Sequence, residues 1–293
     1  MSEETNNPPL VGRGDAAPRH RFRLSWGGWI GLTMVGFWLL VAIFAPLLMP
    51  YDPTDFVSDD AFLPAGQEFV LGTDYFGRDL LSRLIAGARL TLVMAFCATL
   101  IATTTGAAFG LLVAYRKGAV DMVASRINDA FLSFPTIMTG LVIVAALGSS
   151  IPVLVVATGL IFASSVFRIA RAVGMDVAAM DYVTVARARG ESTAWVLVQE
   201  ILPNAALPLV VDFGIRLSFS ILFMSSLSFL GLGVQPPQAD WGSLVRENMT
   251  GLPSGAWAPI IPALSIASFT VGLNLMIDDF SAAKGRGMAR KII

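Results

Sequence analysis

Six runs of about 20 mostly apolar residues leave this 293-residue chain few choices, because a run of that length matches the hydrocarbon core of a bilayer. They fall at about 29–48, 90–114, 127–147, 153–170, 205–230 and 260–276. Composition agrees. Hydrophobic residues make up 55% of the chain and charged ones 14%, with a mean hydropathy of +0.69. A soluble domain carries about 25% charged residues. That excess of apolar surface is more than one buried core can absorb, so lipid is the expected solvent. We expect an all-α polytopic membrane helix bundle of six transmembrane helices. It divides into a basic tail at 1–28, a first transmembrane helix at 29–48, an extracytoplasmic segment at 49–88, a core with five transmembrane helices at 89–280, and a tail at 281–293.

The first run follows Arg13, Arg19, Arg21 and Arg23, as a cleaved signal peptide would. It exceeds a typical signal h-region, and Pro46 and Pro50 follow it without a small-x-small cleavage site, so we read it as a retained span. Six spans put both termini on one side of the membrane. Orientation follows from the positive-inside rule. The N-terminal arginines, Arg116, Lys117, Arg126, Arg168, Arg171, Arg187, Arg189, Lys284, Arg286, Arg290 and Lys291 gather on one face, fifteen of the 20 basic residues. Only Arg78, Arg83, Arg89 and Arg246 fall on the opposite face, with most of the acids. Both termini are therefore expected on the cytoplasmic face.

Several chemistries are excluded by what the chain lacks. One cysteine (Cys97) and one histidine (His20) allow no internal disulfide and no Cys/His metal cluster. A lone histidine in a basic tail rules out Ser-His-Asp and Cys-His catalysis and a serine intramembrane protease. No catalytic and no metal-binding residue is expected. A phosphate-binding P-loop needs Gly-Lys-Ser/Thr, yet Lys117, Lys284 and Lys291 follow Arg, Ala and Arg. A channel or proton-coupled carrier should show a relay of intramembrane acids, and only Asp212 clearly qualifies. Asp212 and Arg216 are four residues apart on one helix face and able to pair. Intramembrane charges are functional candidates by default; a neutralised structural pair is the plainer alternative.

The segment between the fourth and fifth runs is too patterned for a simple turn. From Asp181 it reads DYVTVARARGESTAWVLVQEILPN. Tyr182, Val185, Ala186 and Ala188 precede Gly190, and Ala194, Trp195, Val198 and Ile201 follow it. Two short amphipathic helices hinged at the glycine are expected, with Pro203 opening the next span. Such an exposed knob can seat in a groove of a soluble partner and pass rigid-body motion to the bundle.

This segment resembles the EAA loop of ABC importer permeases. Ala186, Gly190, Leu202 and Pro203 match that pattern, whereas Thr184, Val185 and Glu200 stand where it has glutamate, alanine and isoleucine. LGTDYFGRDLLSRLIAGARLTL (71–92), NDAFLSFP (128–135) and SFLGLGVQPPQADWGSLV (228–245) resemble the dipeptide, oligopeptide and nickel permeases of the second-subunit type, with Met224 departing from an acidic position. The resemblance runs from about Trp29 to Phe280 and implies a location in the bacterial inner membrane. It implies a non-catalytic permease subunit of an ATP-driven importer of dipeptides or oligopeptides, or the same architecture carrying nickel, a glycoside or an opine-like conjugate. It also implies a homologous permease as heterodimer partner, two ATPase subunits that hold ATP and Mg, and an extracytoplasmic substrate-binding protein. The coupling segment it implies comprises Asp181, Tyr182, Thr184, Ala186, Arg187, Ala188, Gly190, Ala194, Leu202 and Pro203. Gly72, Asp74, Gly77, Arg78 and Asp79 form an extracytoplasmic motif, read either as an ion-paired cap on the bundle or as a contact for the binding protein. Trp241 and Trp257 are expected as interfacial anchors, the usual place of tryptophan.

Overall fold

Hydrocarbon offers no partner to a backbone N–H or C=O, so a spanning segment satisfies its own groups as a helix. The computed structural model describes residues 25–289, and among them the only β pairing is a single bridge between Thr73 and Asp79. The basic tail residues Arg13 to Arg23, with His20, and Arg290 and Lys291 lie outside the described residues, as do the side chains of Lys284 and Arg286.

In chain order the helices are α1 (Trp26–Ile43), α2 (Ala45–Leu48), α3 (Leu80–Arg116), α4 (Gly118–Leu132), α5 (Thr136–Leu147), α6 (Ile151–Val177), α7 (Asp181–Ala188), α8 (Thr193–Trp195), α9 (Leu202–Phe229), α10 (Trp241–Asn248) and α11 (Ile260–Ala289). A wide π turn, Val196–Ile201, joins α8 to α9, and a 3-10 turn, Met249–Ser254, follows α10. Five segments are long and apolar enough to cross a membrane, and a sixth arises if α4 and α5 count as one bent span. The bundle is therefore the all-α polytopic one the apolar runs predict.

Its boundaries differ from the sequence expectation in three places. The first span stops at Ile43, and Ala45–Leu48 is a separate turn opened by Pro46. The second helix starts at Leu80 rather than near Leu90 and takes in Arg83 and Arg89. The third span, expected from residue 127 to 147, is broken: α4 and α5 meet at 82° across Ser133–Pro135. Pro135 supplies no N–H and disfavours helical backbone at Phe134. Alone, the 12-residue α5 is about 18 Å long, well short of the ~30 Å hydrocarbon core. Toward the C-terminus, helix continues to Ala289, through much of the segment read as a tail.

The centre of the bundle is the α3–α6 contact, built from small residues. A Cβ on Gly106 would lie 2.6 Å from Ala163 O, and one on Gly110 would lie 2.7 Å from Phe167 O. Ala98, Ala102 and Ala114 of α3 and Ala170 of α6 are buried along the same seam. Lipid tails are as apolar as leucine, so helices in a bilayer associate through close van der Waals approach, which small residues permit. The α1 helix lies against α11, where Trp38 Nε1 donates to Ser268 Oγ at 2.8 Å. Gly110→Leu should lower stability by about 1–3 kcal/mol through overpacking. Gly36→Leu, at a site where a Cβ meets nothing within 4 Å, should leave it nearly unchanged. Thermal unfolding of the detergent-purified chain measures both.

Candidate functional site

Two regions at opposite ends of α3 collect the residues singled out in the sequence. At the Arg116 end, α7 stands out from the bundle as a short helix. Asp181 lies in its first turn and Arg187 in its last, each matching the helix dipole. Gly190, at φ +81°, closes α7: its N–H donates to Arg187 O at 3.0 Å, and Glu191 N–H donates to Ala186 O at 3.3 Å. These two bonds make a Schellman cap, which needs a left-handed residue at this position. A Cβ at Gly190 would meet nothing within 4 Å, so backbone conformation alone requires the glycine there, and the space outside it is open.

Within α7 the faces divide cleanly. Val183 and Ala186 turn into the bundle and are buried, while Asp181, Tyr182, Thr184, Val185, Arg187, Ala188 and Arg189 are exposed. Ala186 thus belongs to the inner face, apart from the other predicted coupling residues. Arg187 fastens the knob to α3: its Nη2 donates to Tyr115 O at 2.9 Å and its guanidinium lies 4.1 Å from the Tyr115 ring centroid. The second of the two expected helices does not stand alone. Ser192 Oγ caps α8 by accepting from Trp195 N at 3.2 Å, and the chain then passes through the π turn into α9 without a break. Leu202 N–H reaches back to Leu197 O, and the wider turn accommodates Pro203, which has no N–H to give. Ala194, Leu202 and Pro203 are exposed along this continuous helix.

A further tie, absent from the sequence expectation, fixes the neighbouring α4. Asp121 and Arg171 form a two-pronged ion pair between α4 and α6, with Arg171 Nη2 2.8 Å from Asp121 Oδ2. Apart from it, α4 is loosely held, with no buried residue and Val120, Met122, Val123, Ile127 and Phe131 exposed.

At the other end of α3 a buried ionic lock is assembled. Asp74 Oδ2 lies 2.8 Å from Arg78 Nε and 3.2 Å from Arg83 Nε. Glu247 Oε2 of α10 receives Arg78 Nη2 at 2.8 Å and Arg83 Nη2 at 2.9 Å. All four side chains are exposed by no more than 6%. The other oxygen of Asp74 accepts the N–H groups of Phe76 and Arg78 at 2.8 and 2.9 Å. Asp79 takes a different role as the N-cap of α3, accepting from Ser82 N at 2.8 Å and Ser82 Oγ at 2.6 Å. Gly72 and Gly77 supply the positive-φ corners of the intervening turn. The motif expected to be extracytoplasmic therefore turns its charges inward onto one another. Arg83 and Glu247 complete the set, and no sequence signal pairs residues separated by 164 positions.

Above the lock, α10 opens with a capping box: Ser243 N donates to Asp240 Oδ1 and Asp240 N to Ser243 Oγ, both at 3.0 Å. Trp241, expected at the interface, is instead fully buried. Its Nε1 donates to Leu84 O at 3.2 Å and its backbone N to Thr91 Oγ1 at 3.1 Å, while its ring packs edge-on to Trp38 at 4.8 Å. An indole whose N–H finds an acceptor can be buried, and that bond overrides the interfacial preference. Trp257, by contrast, is 66% exposed. Within α9, Arg216 Nε donates to Asp212 Oδ1 at 3.1 Å, so the intramembrane pair forms within one helix turn.

Similarity to known proteins follows the same lines. Residues 106–281 match the family model described as binding-protein-dependent transport system inner membrane component, and residues 17–65 match the N-terminal TM domain of oligopeptide transport permease C. The chain is 35% identical over 258 residues to the di/tripeptide transport system permease protein DppC of Pseudomonas aeruginosa, covering 86% of this chain and 84% of that protein. It is also 35% identical over 288 residues to the dipeptide transport system permease protein DppC of Escherichia coli, covering 95% and 96%. Similarity to the glutathione transport system permease protein GsiD of Pectobacterium atrosepticum is 32% over 242 residues, covering 82% and 80%.

Two outcomes follow from the lock end of α3. Glu247→Ala should cost about 3–5 kcal/mol, because it leaves two buried arginines sharing one carboxylate, while Glu247→Gln, which keeps an acceptor, should cost less. Thermal unfolding reads both. Burial pushes the Asp240 carboxyl above its ordinary value of 3.8. Folded protein therefore holds that proton more tightly than unfolded chain, so stability should fall as pH rises from about 3.8 through the raised value. Asp240→Asn should flatten that part of a melting-temperature profile across pH.

Proposed function

The chain belongs to the family of binding-protein-dependent transport system inner membrane components, a multi-pass permease subunit, and from that premise we propose that it forms one transmembrane half of an ATP-driven importer of short peptides. The cargo follows the relatives, whose names specify dipeptides, di/tripeptides and glutathione. In this reading the second half is a homologous permease, two ATPase subunits carrying ATP and Mg2+ lie on the α7 side, and a substrate-binding protein delivers peptide to the side of the ionic lock. Both termini are cytoplasmic, as the gathering of Arg116, Lys117, Arg126, Arg171, Arg187 and Arg189 toward the α7 end favours.

The observation that carries the proposal is the mechanical connection of α7. Its exposed face, with Tyr182, Val185 and Arg189, is free to seat in an ATPase groove, while Arg187 ties it to α3 and its buried inner face lies toward the π turn. Through α8 and the π turn the same segment is continuous with α9. A displacement of α7 therefore moves two spans together. ATP binding draws the ATPase pair together, α7 follows, and the bundle rocks from inward-facing to outward-facing, a common transporter solution. The exposed apolar row on α4 supplies a surface for the homologous permease.

Gly190→Val forces a β-branched residue into left-handed backbone, at a cost of at least about 1–2 kcal/mol to the α7 cap. ATP-driven peptide uptake should fall to background in vesicles while the amount of chain in the membrane stays unchanged. Co-purification of the wild type in mild detergent should bring down two ATPase chains and one sister permease. Full uptake by the Gly190→Val variant, or uptake by the isolated subunit without an ATPase, would contradict the proposal.

A further inference from the structure

Arg89 stands apart from the ionic lock. It lies on α3 just before the apolar stretch that starts at Leu90, is exposed, and pairs with no carboxylate among the described residues. Its depth follows from helix geometry. Because α3 is continuous from Leu80 to Arg116, Arg89 sits 27 residues before Arg116, about 40 Å along the axis at 1.5 Å per residue. The two headgroup regions of a bilayer are separated by a similar span, about 40–45 Å across the whole membrane. With Arg116 at one polar boundary, beside α7, Arg89 occupies the other.

Two recesses meet at Arg89. One, of about 440 Å3, runs from it toward the membrane centre, with Ala42, Leu92 and Phe269 as its floor and Leu39, Val93 and Phe96 along its sides. The other, of about 330 Å3, lies toward the aqueous side, between Met49, Leu90 and Pro237. Apart from Arg89, the lining of the deeper recess is entirely apolar. The lock is already neutral, since Asp74 and Glu247 balance Arg78 and Arg83, so the charge of Arg89 is left uncompensated.

A planar guanidinium at the headgroup boundary, with an apolar groove leading inward from it, complements an amphiphile with an anionic head. We propose that Arg89 and this groove bind an anionic phospholipid of the leaflet remote from α7. The guanidinium holds the headgroup phosphate, a geometry suited to two parallel hydrogen bonds, and one acyl chain fills the groove between α1 and α3. The lipid neutralises Arg89 and completes the packing of α1 against α3 at that end of the bundle. A protein occupant, such as a helix of a second subunit, would have to bring its own carboxylate opposite Arg89 to neutralise it, whereas an anionic lipid carries that charge already.

Native mass spectrometry of the full-length chain, purified in non-ionic detergent with whatever subunits accompany it, tests the proposal. The probes are phosphatidylglycerol and phosphatidylcholine of matched acyl chains. Wild type should retain phosphatidylglycerol in preference to phosphatidylcholine. Arg89→Gln should lower the phosphatidylglycerol-bound fraction roughly fivefold, the effect of one basic residue near a charged headgroup. Val93→Trp, which fills the groove and leaves the charge, should reduce retention of both lipids, and Arg126→Gln on α4 should change neither. Size-exclusion profiles establish that each variant is folded, and Val93→Trp carries the test if Arg89→Gln is not. Equal retention by wild type and Arg89→Gln would overturn the proposal. So would undiminished retention by Val93→Trp, an equal loss with Arg126→Gln, or a cross-link from Val93→Cys to another polypeptide.

Discussion

The seam between α3 and α6 is the constraint from which the remaining geometry follows. Carbonyl oxygens of α6 lie where a side chain on Gly106 or Gly110 would have to go, so the two helices approach backbone to backbone along a line of glycine and alanine. With no hydrophobic drive between helices in lipid, this close approach is what holds the pair together. Once α3 is fixed, its two ends become platforms some 40 Å or more apart. One carries Arg83, with Arg78 in the turn just before it, into the lock with Asp74 and Glu247, which pins α10 over that end. The other presents Tyr115, on which Arg187 anchors α7.

These two attachments differ in kind. The lock is buried and fully ionic, so breaking one partner strands charge in a dry site and the end resists movement. The α7 attachment is smaller: Val183 and Ala186 are buried against the bundle, Arg187 adds one hydrogen bond and a cation–π contact at the surface, and the outer face of the helix is open. A bundle that is stiff at one end and lightly tethered at the other suits a subunit that takes its motion from a partner. The α4 helix, with no buried residue and a sharp bend to α5 at Pro135, is the loosely seated part of the bundle.

Much of this was legible in the sequence, and the exceptions have physical causes. Apolar run length located the spans, and Gly190 with its flanking pattern located α7, because both signals are local. The α3 helix begins about ten residues before its apolar run, because Asp79 caps it and Asp74 and Glu247 neutralise Arg83 in the turns ahead of Leu90. That pairing depends on tertiary structure and leaves no local trace. Pro135 was visible, but whether a proline kinks a span or breaks it depends on the neighbours that pick up the freed backbone groups. Trp241 was read from its average preference, whereas Leu84 O decides its place.

Thiol accessibility at α7 tests the central mechanical claim most directly. In a Cys97→Ser background, a single cysteine at Val185, on the exposed face of α7, can be probed in intact cells with a membrane-impermeant maleimide and in inside-out vesicles with a short cross-linker. The cysteine at position 185 should be protected from the outside and cross-link to an ATPase subunit from the inside, and ATP-driven uptake should stop once the link forms. Labelling from the outside, or transport that continues at full rate with α7 tethered, would contradict it.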